Sequence, residues 1–374
     1  MNTAPRFLWV DISKGIAIIA VVLLHINFQF YESKYVPLTA LLGSLWHVPV
    51  FFLLGGFFLK EEKLLQTTSF IKGKIKSLYY LLLYFYIPAV LLHNTMLYIG
   101  FYDPTISYGG KIMTIWNVSE MIKELILSIC LAGREPILGA MWFVYVLFIA
   151  LCGLSITSKI LHLLIKDKKK YEWIRCATLL FFCILSSTMT NLFGFTIPRF
   201  NNTFTAMWLI YCGYILKNNF HLNFTNKFIC LISILIVYHI ATMQGGVLLN
   251  ANQYHDALTL TISSIAALYI VNYTSQKIEK SYIGHILAFC GKNSFYIMGL
   301  HFLGFKLGTI ILSWIGIKQN LGELMAPAQS SFVLLLFYLI FSVVFSLLFI
   351  TSLRQLKAIV EHLSISRFYN QKSQ

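Results

Sequence analysis

Apolar runs, most of about 15 to 22 residues, dominate the chain, and that length and continuity are what a bilayer demands of an α-helix. We read ten of them, at residues 15–31, 38–59, 77–97, 138–156, 173–190, 204–216, 228–243, 257–273, 286–312 and 331–351. Membrane-barrel strands are shorter and alternate in polarity, so a barrel is excluded. A length of 374 residues would otherwise suggest two or three soluble domains. With 58% hydrophobic residues, 11% charged and a mean hydropathy of +0.73, it reads instead as one all-α polytopic membrane domain over residues 1–374.

The net charge of +15 invites a nucleic-acid reading, and the positions of the cations argue against it. With a cytoplasmic N-terminus, 22 of the 29 basic residues fall on the inner side, among them Lys14, the group Lys60, Lys63, Lys72, Lys74 and Lys76, and the run Lys166–Arg175. Lys34, Lys111, Lys123, Arg134, Arg199 and Lys318 fall outside, and Lys306 lies within the ninth run. This asymmetry favours ten spans with both termini in the cytoplasm. Most of the charge is then an orientation signal facing anionic lipid, and no nucleic-acid partner is needed.

The seven cysteines lie mostly in apolar stretches without a CxxC pair or a histidine at ligand spacing, so they read as small hydrophobes and no metal site is expected. The first 30 residues lack a small-residue cleavage site and read as a retained first span. In the longest connection, residues 98–137, Met121, Ile122, Leu125, Ile126 and Ile129 oppose Glu120, Lys123 and Glu124, the pattern of an interfacial or re-entrant helix on the outer leaflet.

Ionisable groups at bilayer depth are costly and are functional candidates. All 14 carboxylates lie in connections or at run edges, whereas His25, His47 and His301 stand within runs, with His93 and His239 in others. A coupled carrier ordinarily has a midplane carboxylate, and its absence lowers that reading. Lys14 and His25 are eleven residues apart, about 20° past three full turns in angle, so they share a helix face with Asp11, Ile18, Val21 and Val22. His25 then lies about 16 Å along the axis from Lys14, of the order of an extended pantetheine arm. His47 is nine residues into its run and His301 nine beyond Lys292, so three imidazoles approach one level.

At these residues the sequence resembles a known family. Trp9-Val-Asp-Ile-Ser-Lys-Gly-Ile-Ala-Ile-Ile-Ala-Val-Val-Leu-Leu-His25 is similar to the first-helix signature of the acyltransferase 3 family of integral membrane O-acyltransferases, a basic residue, ten positions and a histidine. Lys14 stands where arginine is more usual. Trp46-His-Val-Pro-Val-Phe-Phe-Leu-Leu-Gly-Gly-Phe57 resembles the second-helix string, with Gly55 in place of its serine. Phe70-Ile-Lys-Gly-Lys-Ile-Lys76, Met141-Trp-Phe-Val-Tyr-Val-Leu-Phe148 and Ser294-Phe-Tyr-Ile-Met-Gly-Leu-His301 resemble three further strings, in the family's order.

The resemblance implies transfer of an acyl group, usually acetyl from acetyl-CoA, to a hydroxyl of a carbohydrate or lipid-linked glycan, in a multi-pass protein of a bacterial plasma membrane. Acyl-CoA would be a co-substrate, with no resident cofactor. Imidazole titrates near working pH, which suits His25 as general base on the acceptor hydroxyl; an acyl-imidazole intermediate is the other route. Asp11, Lys14 and His301 complete the expected catalytic set. Lys14, Lys72, Lys74 and Lys76 are candidates for the CoA phosphates, with a purely topogenic role open for the last three. His47, Arg134, Glu135 and Trp142 are candidates for the acceptor, with packing or interfacial anchoring as the alternative for each. A glycan or lipid carrier without acyl transfer, and a sensor or scaffold without turnover, are the competing functions. Gly304 and Gly308 form a small-xxx-small pair, suited to packing within the chain or in a homodimer.

Overall fold

The computed structural model describes residues 7–33, 35–108, 111–194, 200–317, 319–323, 326–329 and 331–372; Arg6, Lys34, Arg199 and Lys318 lie outside them. Of the described residues, 77% are helical. In chain order the helices are α1 Leu8–Leu24, α2 His47–Phe57, α3 Glu61–Leu65, α4 Thr67–Lys74, α5 Tyr80–Leu91, α6 His93–Tyr98, α7 Val118–Ile129, α8 Trp142–Leu164, α9 Lys168–Phe193, α10 Asn201–Asn218, α11 Lys227–Gln244, α12 Ala257–Ile278, α13 Tyr282–Lys292, α14 Ser294–Trp314 and α15 Phe332–Lys372. Two short strand pairs join them: β1 Ile26–Phe28 lies parallel to β4 Ala326–Gln329, and β2 Ser107–Tyr108 antiparallel to β3 Lys111–Ile112.

Seven segments among the described residues are long and apolar enough to cross a membrane: Ala40–Phe57, Pro136–Leu164, Lys168–Asn191, Lys227–Gln244, Ala257–Ile278, Ser294–Trp314 and Phe332–Lys357. The other three expected runs also fold as helix, in α1, in α5 with α6, and in α10, but are shorter or less apolar. Their boundaries move for identifiable reasons. The first helix starts at Leu8 and stops at Leu24, because Ile26–Phe28 extends to pair with Ala326–Gln329. Pro88, which has no N–H to give, sits in the last turns of α5, and that helix ends at Leu91. The ninth run divides at Asn293, whose side-chain amide donates back to the Phe289 carbonyl at 2.9 Å.

Close helix contacts depend on glycine. A Cβ on Gly15 would stand 2.0 Å from the Leu287 carbonyl oxygen, and one on Gly291 would stand 1.7 Å from that of Asp11, so α1 and α13 touch backbone to backbone. Gly56 and Gly213 do the same between α2 and α10. Gly304 and Gly308 pack against Ser342 and Phe341 of α15, so the small-xxx-small pair is used within the chain. Ile12, Ala17, Ile18 and Val22 of α1 are fully buried, making it the central helix, whereas Phe228, Leu231, Ile232 and Leu235 of α11 face outward as lipid-facing residues do.

The expected amphipathic helix is α7. Asn117 and Glu120 form a reciprocal capping box, with bonds of 3.0 and 2.9 Å, and Val118, Ile122, Ile126 and Ile129 are exposed. Lys306, buried in α14, donates to the carbonyls of Leu321 and Glu323 at 2.6 and 2.5 Å. It thereby fixes the loop that leads into β4, the strand paired with the residues just after His25.

Candidate active site

His25 caps the C-terminus of α1, where the chain leaves the helix for β1, and its ring is half-buried. Its Nδ1 lies 3.2 Å from Nε2 of His301, and the Nδ1 of His301 lies 2.9 Å from the Ile297 carbonyl oxygen. A carbonyl oxygen only accepts, so His301 carries its hydrogen on Nδ1. With both rings neutral, the Nε2 of His301 accepts from Nδ1–H of His25. The lone pair of His25 is then on Nε2, the nitrogen His301 does not occupy. His301 is fully buried against Phe302 and Phe305, which holds its ring in place.

A cavity of about 400 Å³ is lined by His25, His47 and Trp142, together with Val21, Leu24, Val48 and the loop Val247–Asn250. His47 opens α2 and donates from Nδ1 to the Gly43 carbonyl at 2.7 Å, which places its own lone pair on Nε2 as well. Three residues singled out from the sequence thus meet at one space, and His301 stands directly behind.

A second cavity, of about 810 Å³, is lined by Asp11, Lys14, Lys60, Lys63 and Ser294 among apolar side chains that include Phe51, Leu54, Gly55 and Leu147. Lys14, near the middle of α1, and His25, at its C-terminal end, therefore each line a different cavity. Phe143 and Met298 line both cavities.

Several residues fall elsewhere. Lys72, Lys74 and Lys76 do not line the larger cavity; Lys72 and Lys76 are exposed, and the Lys74 ammonium sits 5.0 Å from the Phe70 ring centroid. Lys60 and Lys63 take the place expected of them. Arg134 is exposed and paired with Glu124 at 3.0 Å. Glu135 is buried, and both its oxygens meet Nδ1 of His93 at 3.2 and 3.1 Å. Tyr102 donates to it at 2.5 Å. The His93 Nε2 faces the Thr114 carbonyl oxygen at 3.2 Å, and Trp116 is stacked on the ring at 3.4 Å. Glu135 therefore ties together the connection between α6 and α8, and reaches the smaller cavity only through the turn Pro136–Met141 that it precedes.

Arg175, counted from the sequence among orientation charges, is fully buried. It donates to both oxygens of Glu61 at 2.9 Å and to Glu172 at 2.7 Å, with the Tyr171, Tyr211 and Tyr214 rings around it. Burial works to raise the Glu61 carboxyl, but the charge and hydrogen bonds of Arg175 overcome it and hold the group below the usual glutamate range. Glu61 stands between Lys60 and Lys63, so this clamp fixes the segment that presents both lysines. No local pattern marks a pairing between residues 114 positions apart.

The family model described as an acyltransferase domain matches residues 7–351, nearly the whole chain. The chain belongs to the acyltransferase 3 family. No curated protein and no solved structure matches it significantly. As a member of that family it is a multi-pass membrane acyltransferase. Of the family's strings, this acyltransferase departs most visibly at Gly55, which lines the larger cavity. The nearest side-chain atom to a Cβ there is Leu147 Cδ1 at 3.8 Å, ordinary contact. Gly55→Ser is therefore expected to fold as the wild type does and to keep at least its activity. A shift of the thermal unfolding midpoint beyond a few degrees would contradict the open space at Gly55.

Proposed function

We propose that this acyltransferase moves an acetyl group, or another short acyl group, from cytosolic acyl-CoA to a hydroxyl of a cell-surface glycan or lipid-linked sugar, with His25 as general base. The observation that carries the reading is that two cavities share a wall at Phe143 and Met298, one lined by three lysines and the other by His25 with two further candidate side chains, His47 and Trp142. In this reading the protein has ten spans in a bacterial plasma membrane, both termini are cytoplasmic, and Lys14 faces the compartment that holds CoA.

The larger cavity takes the donor. Lys14, Lys60 and Lys63 attract the phosphates of CoA as point charges, and Lys72, Lys74 and Lys76 add to the positive potential at the mouth. Asp11, one turn below Lys14 on the same face, orients that end of the cavity. The pantetheine arm then runs beside α1 toward His25, about 16 Å along the axis. The smaller cavity takes the acceptor, with the Trp142 ring as a face for a sugar and His47 as a hydrogen-bond acceptor for a neighbouring hydroxyl.

His25 Nε2 takes the proton of the acceptor hydroxyl as its oxygen attacks the thioester carbonyl carbon. A C–O bond forms and the C–S bond breaks. The sulfur leaves with the electron pair and receives the proton back from His25, giving an ester and free CoA. His301 is a positioning residue: it holds the His25 tautomer and, through the Ile297 carbonyl, shares the positive charge that develops on the pair.

Lys14→Glu and Lys63→Glu are each expected to raise the KM for acetyl-CoA about tenfold or more, with kcat changed less, because the lost attraction acts on donor binding. An unchanged KM in both would remove these lysines from the donor site.

A further inference from the structure

Phe143 and Met298 are the side chains that line both cavities. If the larger cavity holds the donor and the smaller one the acceptor, as proposed above, the thioester reaches His25 by passing between them. They differ in mobility. Phe143 is buried and held by Phe51 and Phe52, with ring centroids 5.4 and 4.9 Å away, so it forms a fixed wall. Met298 is buried too, but its side chain is unbranched with three rotatable bonds, which lets it yield to a passing group. It lies three residues before His301 on α14, on the same helix face as the ring that positions His25.

We infer that Phe143 and Met298 form the partition crossed by the thioester, and that the Met298 side chain selects short acyl groups over longer ones. The space around His25 is about 400 Å³ and must hold the acceptor hydroxyl beside the acyl group. Its walls at Val21, Leu24 and Val48 belong to packed helices. Each added methylene therefore displaces the Met298 side chain or takes volume from the acceptor. An apolar site of this kind discriminates by roughly 10- to 200-fold per methylene.

The experiment uses inside-out membrane vesicles from cells producing the full chain, supplied with acetyl-CoA or butyryl-CoA radiolabelled in the acyl group. Incorporation into the envelope fraction is counted. Met298→Ala is expected to raise the butyryl-to-acetyl ratio about tenfold or more, while Met298→Leu, which keeps the volume, retains the wild-type ratio. Met298→Val carries the same expectation in smaller measure and serves if Met298→Ala does not accumulate as folded protein. A wild-type ratio in a folded Met298→Ala or Met298→Val overturns the partition. So does equal loss of both acyl groups in the alanine and leucine variants, because that makes Met298 a packing residue. Wild-type vesicles that take up no label from either donor overturn the parent reading instead, so the two failures are distinguishable.

Discussion

His25→Ala is expected to lower acetyl transfer by about 10²- to 10⁴-fold, the range lost with a positioned general base, while the protein still inserts and elutes as the wild type does. The expectation rests on the hydrogen-bond order from the Ile297 carbonyl through His301 to His25, which puts the lone pair of His25 on Nε2 at the smaller cavity. Alanine removes that base and leaves the His301 Nε2 without its donor. His301→Phe keeps the volume of the buried ring but frees the His25 tautomer. It should lower kcat by a smaller factor and leave the KM for acetyl-CoA close to wild type, since the donor cavity does not include His301. Radiolabel transfer in vesicles measures both. Full activity in His25→Ala would end the catalytic assignment.

The second large effect concerns assembly of the site. Gly291→Ala would put a methyl carbon 1.7 Å from the Asp11 carbonyl oxygen, a distance that no rotamer change relieves, because the obstacle is backbone. Helix α13 must move away from α1, and the wall carrying Asp11 and Lys14 moves with it. Overpacking of this kind costs about 1–3 kcal/mol or more. A marked fall in unfolding temperature and in detergent-stable yield is expected, with Gly55→Ala as the harmless comparison. An unchanged unfolding temperature for Gly291→Ala would mean that α1 and α13 do not pack as described.

The positions of the helices were largely legible because apolar runs are a local property: each of the ten expected runs overlaps helix, although the first continues past Leu24 into β1. The shared face of Lys14 and His25 was an inference from helical periodicity, whereas in the structure His25 lies just past the end of α1 and the two residues line different cavities. The convergence of His25, His47, His301 and Trp142 was legible as a set of candidates but not as a geometry. The lysines were harder. A basic cluster beside a span reads alike whether it lines a cavity or faces solvent, and the larger cavity takes Lys60 and Lys63 where Lys72, Lys74 and Lys76 were expected. Arg175 and Glu135 were misread for one reason. Their partners, Glu61 and His93, are distant in the chain, and a charge buried by such a pairing carries the same local signature as an exposed one. The division of the ninth run at Asn293, where the side-chain amide bonds back to the Phe289 carbonyl, was hidden because hydrophobicity continues across the break.

The most direct test follows the acyl group itself. Inside-out vesicles are incubated with isotopically labelled acetyl-CoA, and the envelope glycans and lipid-linked sugars are then examined by mass spectrometry for wild type and His25→Ala. The expected result is a gain of one labelled acetyl ester on a defined sugar with the wild type and none with His25→Ala. Movement of the sugar across the membrane without any acetyl gain, or the same gain with His25→Ala, would contradict the account.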